Sequence, residues 1–106
     1  MKVTPSSQIT GKRIVETIGL VRGNTIRVRH VGHDIMAGLK TLVGGEIQEY
    51  TKLMAEAREQ AIDRMIEVAR QSGADAIVDV QFSTSYVMGS AAEILVYGTA
   101  VKLEDE

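Results

Sequence analysis

The sequence predicts an α+β protein in which an antiparallel sheet packs on one long helix, and three observations carry that reading. The stretch from about Glu46 to Ser72 repeats apolar residues at helical spacing and holds no proline or glycine. Runs rich in β-branched residues lie before and after it, punctuated by Gly and Asn. These strand-like runs are grouped at the two ends instead of alternating with helices, which favours an antiparallel over a parallel sheet. The expected order is strand, short strand, short helix, long helix, strand, strand, in one domain over 1–106.

The lead-in, Thr4 to Thr10, is polar and reads as extended, and Pro5 is the single proline of the chain. Arg13 to Val21 is β-branched and reads as the first strand. Gly23-Asn24 predicts a turn, after which Thr25 to Val31 continues as a second short strand. There Ile26 and Val28 alternate with Arg27 and Arg29, so one face is expected to be wet. Asp34 is placed to cap a short helix through Ile35, Met36, Leu39, Leu42 and Val43, which Gly44-Gly45 ends.

The long helix then places Glu46 and Glu49 in its first turn and Arg70 in its last, as the macrodipole favours. Gly73 stands where a left-handed C′ residue belongs. At 100° per residue, Tyr50, Met54, Ala57, Ala61, Met65 and Val68 form one stripe, widened by Ala55, Ile62, Ile66 and Ala69. Asp75 to Met88 reads as a long strand with Ala76, Val78, Val80, Phe82, Thr84 and Tyr86 on one face. Gly89-Ser90 turns the chain, and Glu93 to Leu103 returns. Gly98 marks a close approach by another part of the chain, and the charged end from Lys102 to Glu106 is expected to blunt a sheet edge.

The chain has 106 residues, a formal charge of −2, 44% apolar residues and a single phenylalanine, with no tryptophan. Its pI is about 5.7. A general nucleic-acid binder carries a basic face, so nucleic acid is not an expected partner. There are no cysteines, which excludes disulfides, thiolate nucleophiles and thiolate metal sites. The N-terminal residues lack the apolar run of a signal peptide and no window matches a membrane span, so a cytoplasmic protein without membrane contact is expected. The apolar face covers about half of the long helix, more than one small sheet needs, and joining identical subunits would hide the excess.

Few residues could carry chemistry. His30, His33 and Asp34 are the one cluster of metal-ligand type, set against a reading as loop histidines before a helix cap. Arg58 falls inside the apolar stripe, between Met54 and Ile62, and a buried Arg needs a carboxylate such as Asp34, Asp75, Asp79 or Glu93. Asp79 stands mid-strand among Ile77, Val78 and Val80, either lining a polar channel between subunits or facing water. No P-loop, GxGxxG or GxSxG pattern is present, and no carboxylate pair stands out as acid and base.

Several stretches together resemble a known family. Gly11-Lys-Arg-Ile-Val-Glu16 lies near the start, and Asp34-Ile-Met-Ala-Gly38 leads into Leu42-Val-Gly-Gly45. Tyr50 precedes Ala57-Arg58-Glu59 on the helix. Gly73-Ala-Asp-Ala-Ile-Val78 opens the strand pair, and Gly98-Thr-Ala-Val101 closes it. Across nearly the whole chain this resembles the YbjQ family, also called UPF0145 or DUF74. The resemblance implies a dodecin-like subunit in a ring, with a pentamer or stacked pentamers expected and Thr25 to Val31 as a strand aiding assembly. The family carries a "putative heavy-metal-binding" label and no settled activity. The sequence departs from the family in having Glu46-Ile47-Gln48-Glu49 where an Arg and small residues are usual. It also has Asp79 where Gly is usual, and Gly32-His33 in place of an aromatic.

The leading expectation is a non-enzymatic homo-oligomer that binds an unidentified small molecule at its subunit interfaces, with Arg58, Asp79 and Tyr50 as candidate binding residues. Metal binding through His30, His33 and Asp34 is the alternative, and an enzyme with an inter-subunit site built on Arg58 and a carboxylate is the third. No cofactor is specified by the sequence.

Overall fold

The computed structural model describes residues 1–28, 45–87 and 91–106. Its elements are β1 (Lys2–Val3), β2 (Lys12–Val28), α1 (Gly45–Gln71), β3 (Ala76–Val87) and β4 (Ala91–Asp105). They form a four-stranded sheet in the order β1-β3-β4-β2. Neighbours on β4 are antiparallel, whereas β1 pairs parallel with β3 through Lys2 and Val3. The sheet is therefore mixed. The two-residue β1 lies before the expected lead-in and has no counterpart in the expected order, because so short a run carries no periodicity. The short helix expected after Asp34 and the turn at Gly89-Ser90 lie outside the described residues.

α1 ends where glycine permits a left-handed residue. Gly73 has φ +82, its N–H donates to Arg70 O, and the Ala74 N–H donates back to Ala69 O. That pair of bonds is a Schellman motif and satisfies carbonyls the last turn leaves open.

The helix buries Ala57, Ala61, Met65 and Ala69, each fully enclosed. These residues are four apart, so the contact line rotates roughly 40° about the axis at each step. The helix therefore crosses the sheet obliquely instead of lying on a straight stripe. Two expectations change for this reason. Val68 is exposed, and so is Arg58, which stands about 100° from Ala57 at its own level of the helix.

No turn forms at Gly23-Asn24. β2 runs unbroken for 17 residues, because Gly23 is where the helix backbone lands. A Cβ built there would sit 2.1 Å from Ala61 O and 2.6 Å from Met65 N. Beside it the Thr25 hydroxyl donates to Ala57 O at 3.0 Å, and Arg27 donates to Gln60 Oε1 at 2.7 Å. Arg64 donates to Asn24 O at 2.7 Å. The face assignment of this segment is thus the reverse of the expected one: Thr25 and Arg27 meet the helix, while Ile26 points away and is 57% exposed.

β3 changes face midway. Asp79 has φ 55 and sits in a register shift between Val78 and Gln81. Its N–H and that of Val80 donate to Ser6 O and Thr4 O, so the lead-in takes the bonds that β4 does not. Ala76 and Val78 consequently face away from the helix, packing with Val101 beneath Ile9, Ile14 and Leu103. Val80 joins the main core under the helix, with Ile77, Ile94 and Val96. Gly98 lies opposite the bulge, where an added Cβ would meet Ile77 Cγ2 at 2.7 Å, as the expected close approach requires.

Because left-handed backbone costs a non-glycine residue about 1–2 kcal/mol, two variants of exposed Asp79 should diverge. Asp79→Gly should be neutral or stabilising by up to about 1 kcal/mol, and Asp79→Val should cost about 1–2 kcal/mol, read from urea midpoints. Equal midpoints for the two would dismiss strain at the bulge.

The charged C-terminal end does not guard an edge. β4 is a central strand, and Arg13–Glu104 and Lys12–Asp105 ion pairs join its end to the start of β2. The Lys12 ammonium, bonded to Asp105, holds that carboxyl below its ordinary 3.8.

Candidate functional site

The helix rests on β2 and β4 and barely touches β3. Its Gln60 and Arg64 flank hangs over β2, bonded to Arg27 and Asn24. The opposite flank, with Arg58 and half-buried Ile62, therefore looks across β4 toward β3. Cross-strand partners share a face, so Phe82, Thr84 and Tyr86, opposite Val96, Ile94 and Ala92, lie on the helix side of the sheet. Beyond Val80 that part of β3 is bare: Phe82 is 51% and Tyr86 71% exposed. The outer half of β3 is thus a bare shelf on the helix side of the sheet, floored by two aromatic side chains.

Levels along the shelf follow from the register. Thr25 bonds to Ala57 O and pairs with Ile94, which in turn pairs with Thr84. Phe82 and Tyr86 flank that level, each about 7 Å along the strand.

Arg58 makes no ion pair among the described residues. Two of its expected partners are engaged elsewhere. Asp75 Oδ2 accepts from the Leu103 N–H at 2.9 Å, and Glu93 lies on the far face of the sheet, accepting from Asn24 Nδ2 at 3.4 Å. Asp79 is exposed at the bulge. Tyr50 belongs to the second turn of α1, with its side chain outside the described set. His30, His33 and Asp34 also lie outside the described residues.

The far face carries its own exposed apolar groups, Leu20 at 69% and Ile26. Below them a half-open groove of about 580 Å³ is lined by Ser7, Thr10, Lys12, Arg13 and Glu106. Its two cations are neutralised by the C-terminal carboxylates. Sequence reasoning had grouped Phe82, Thr84 and Tyr86 on one face but not their exposure. The signal was the four-residue spacing of the helical alanines, which sets the helix across the sheet.

A helix laid obliquely over a mixed four-stranded sheet, with an aromatic strand left bare beside it, places the molecule among small helix-on-sheet α+β domains. The chain belongs to the YbjQ family, whose family model, described as "Putative heavy-metal-binding", matches residues 1–104. A UPF0145 protein of Methanosarcina acetivorans is 55% identical over 97% of each chain. One of Halorubrum lacusprofundi is 56% identical over 97% of this chain and 99% of its own. The crystal structure of a protein of unknown function of the DUF74 family from Pediococcus pentosaceus matches with a TM-score of 0.69 at 16% identity, over 98% of both chains. That likeness shows the shared fold.

No thiolate is available to a soft metal in this chain. The chain has no cysteine, and among the described residues no three His, Asp or Glu side chains converge. No helix among them is long and apolar enough to cross a membrane.

Proposed function

We propose that this chain is the subunit of a dodecin-like ring that binds a small molecule where subunits meet and performs no catalysis of its own. One observation carries the reading: large apolar side chains stand exposed on both faces of the sheet, Leu20 and Ile26 on one and Phe82 and Tyr86 on the other. A monomer rarely leaves such groups together in water. Two different patches on opposite faces suit head-to-tail contacts, which close into a ring when the rotation permits.

Two further features support it. The molecule measures 57 × 21 × 16 Å with a radius of gyration of 17.7 Å, against roughly 13 Å for a compact domain of this length. The edge of β3 beyond Val80 has no strand partner among the described residues, and no charge occurs from Val80 to Ala92 to discourage pairing.

Light scattering coupled to size exclusion tests the reading. A pentamer of this 11.5 kDa chain has a mass of about 58 kDa. Leu20→Asp with Ile26→Asp should lower the mass toward the monomer while leaving the far-ultraviolet circular dichroism unchanged, since both side chains lie outside the core. A wild-type mass of 11.5 kDa would end the proposal.

A further inference from the structure

We infer that the free edge of β3, from Gln81 to Val87, pairs antiparallel with the same edge of a second copy of this chain, about a two-fold axis. This goes beyond the ring reading: the ring uses the faces of the sheet, whereas this contact uses main chain and joins subunits in pairs.

The other edges of the sheet are closed. Along the first half of β3, Lys2 and Val3 pair with Ala76 and Ile77, and Ser6 and Thr4 accept from the Asp79 and Val80 N–H groups. On the opposite edge, β2 has register shifts between Ile14 and Glu16 and between Thr17 and Gly19. It also carries charges at Lys12, Arg13, Glu16, Arg22 and Arg27. Bulges and charges both discourage a strand from adding there. The helix reaches over β2 as well, since Arg64 donates to Asn24 O at 2.7 Å.

Beyond Val80, β3 has none of these devices among the described residues. Its pairing with β4 runs unbroken from Gln81–Tyr97 to Val87–Ala91, so the strand is regular. About half of its N–H and C=O groups turn away from β4, and they meet no strand or loop among the described residues. A second copy therefore offers one bare edge, this same one. Like edge on like edge is an isologous contact, which closes at two chains. The centre of the run, Ser83-Thr84-Ser85, is small and uncharged. Whichever of the three lies on the axis, no like-charged pair arises. Because α1 rests on β2 and β4, the helix stands back from the approaching copy.

Mass and amide exchange on the intact chain test the contact. Where the ring also forms, the wild type should hold ten copies of the 11.5 kDa chain, about 115 kDa, as two rings joined by their edges. Ser83→Lys with Ser85→Lys sets like charges across the axis and should halve that mass, and Ser83→Thr with Ser85→Thr should keep it. Alternate amides from Gln81 to Val87 should exchange at least tenfold more slowly in the wild-type assembly than in an unstructured chain, a readout that needs no variant. A five-copy wild type, an unchanged mass for the lysine variant, or fast exchange along the whole run overturns the inference; the first of these leaves the ring intact. A wild-type dimer of about 23 kDa that the lysines split keeps the edge contact and removes the ring. A single chain of 11.5 kDa overturns both.

Discussion

Replacing Gly23 by alanine should destabilise the protein by at least about 3 kcal/mol. A glycine to alanine change in an ordinary strand is harmless or stabilising, so the sign itself is diagnostic. Here the added carbon would lie 2.1 Å from Ala61 O and 2.6 Å from Met65 N, and both atoms are backbone. No side-chain rotation can relieve that overlap, so the helix must lift from β2. Lifting it breaks the bond from the Thr25 hydroxyl to Ala57 O and leaves a buried hydroxyl unpaired. Urea unfolding at one fixed protein concentration reads the effect, because association would otherwise shift the midpoint. A loss below about 0.5 kcal/mol would mean that the helix is not seated on Gly23.

The second large effect is expected for Met65→Ala, at about 2–5 kcal/mol. Met65 is fully enclosed and is the largest side chain on the buried ridge of α1. Its ridge neighbours Ala57, Ala61 and Ala69 have nothing to swing into the space, so the cavity should persist instead of collapsing. Val68→Ala supplies the contrast: that side chain is exposed although it shares the stripe in a flat helical projection, and its loss should stay within about 0.5 kcal/mol. Thermal unfolding of the two variants side by side checks the oblique seating of the helix directly. Similar losses at both positions would refute it.

The long helix, its glycine stop and the two long strands after it were legible because each rests on local signals: period, capping residues and β-branched runs. The observed helix, Gly45–Gln71, departs from the expected span by one residue at each end. The close approach at Gly98 was legible too. Family membership followed from several short stretches in order, and the match over 1–104 bears it out.

The turn expected at Gly23-Asn24 failed for a definite reason. Glycine there answers to a helix that lies more than thirty residues ahead, not to its own neighbours. The face of Phe82 relative to Ala76 was likewise misread across Asp79, because one bulged residue inverts the alternation of everything after it. The candidate site divides along the same line. Arg58 stood out in the sequence as a charge in an apolar stripe, and the structure places it exposed, outside the buried line of the helix. His30, His33, Asp34 and the side chain of Tyr50 lie outside the described residues.

By itself, then, the sequence determined the helix, its boundaries, the strand content, the absence of thiol chemistry and the family. These depend on neighbours a few residues apart. Only the tertiary structure decided that β2 is continuous, that β3 switches faces at Asp79, and that the aromatic outer half of β3 is left bare on the helix side. Each of these depends on how obliquely one element crosses another, and that angle is set by which small residues let two backbones touch.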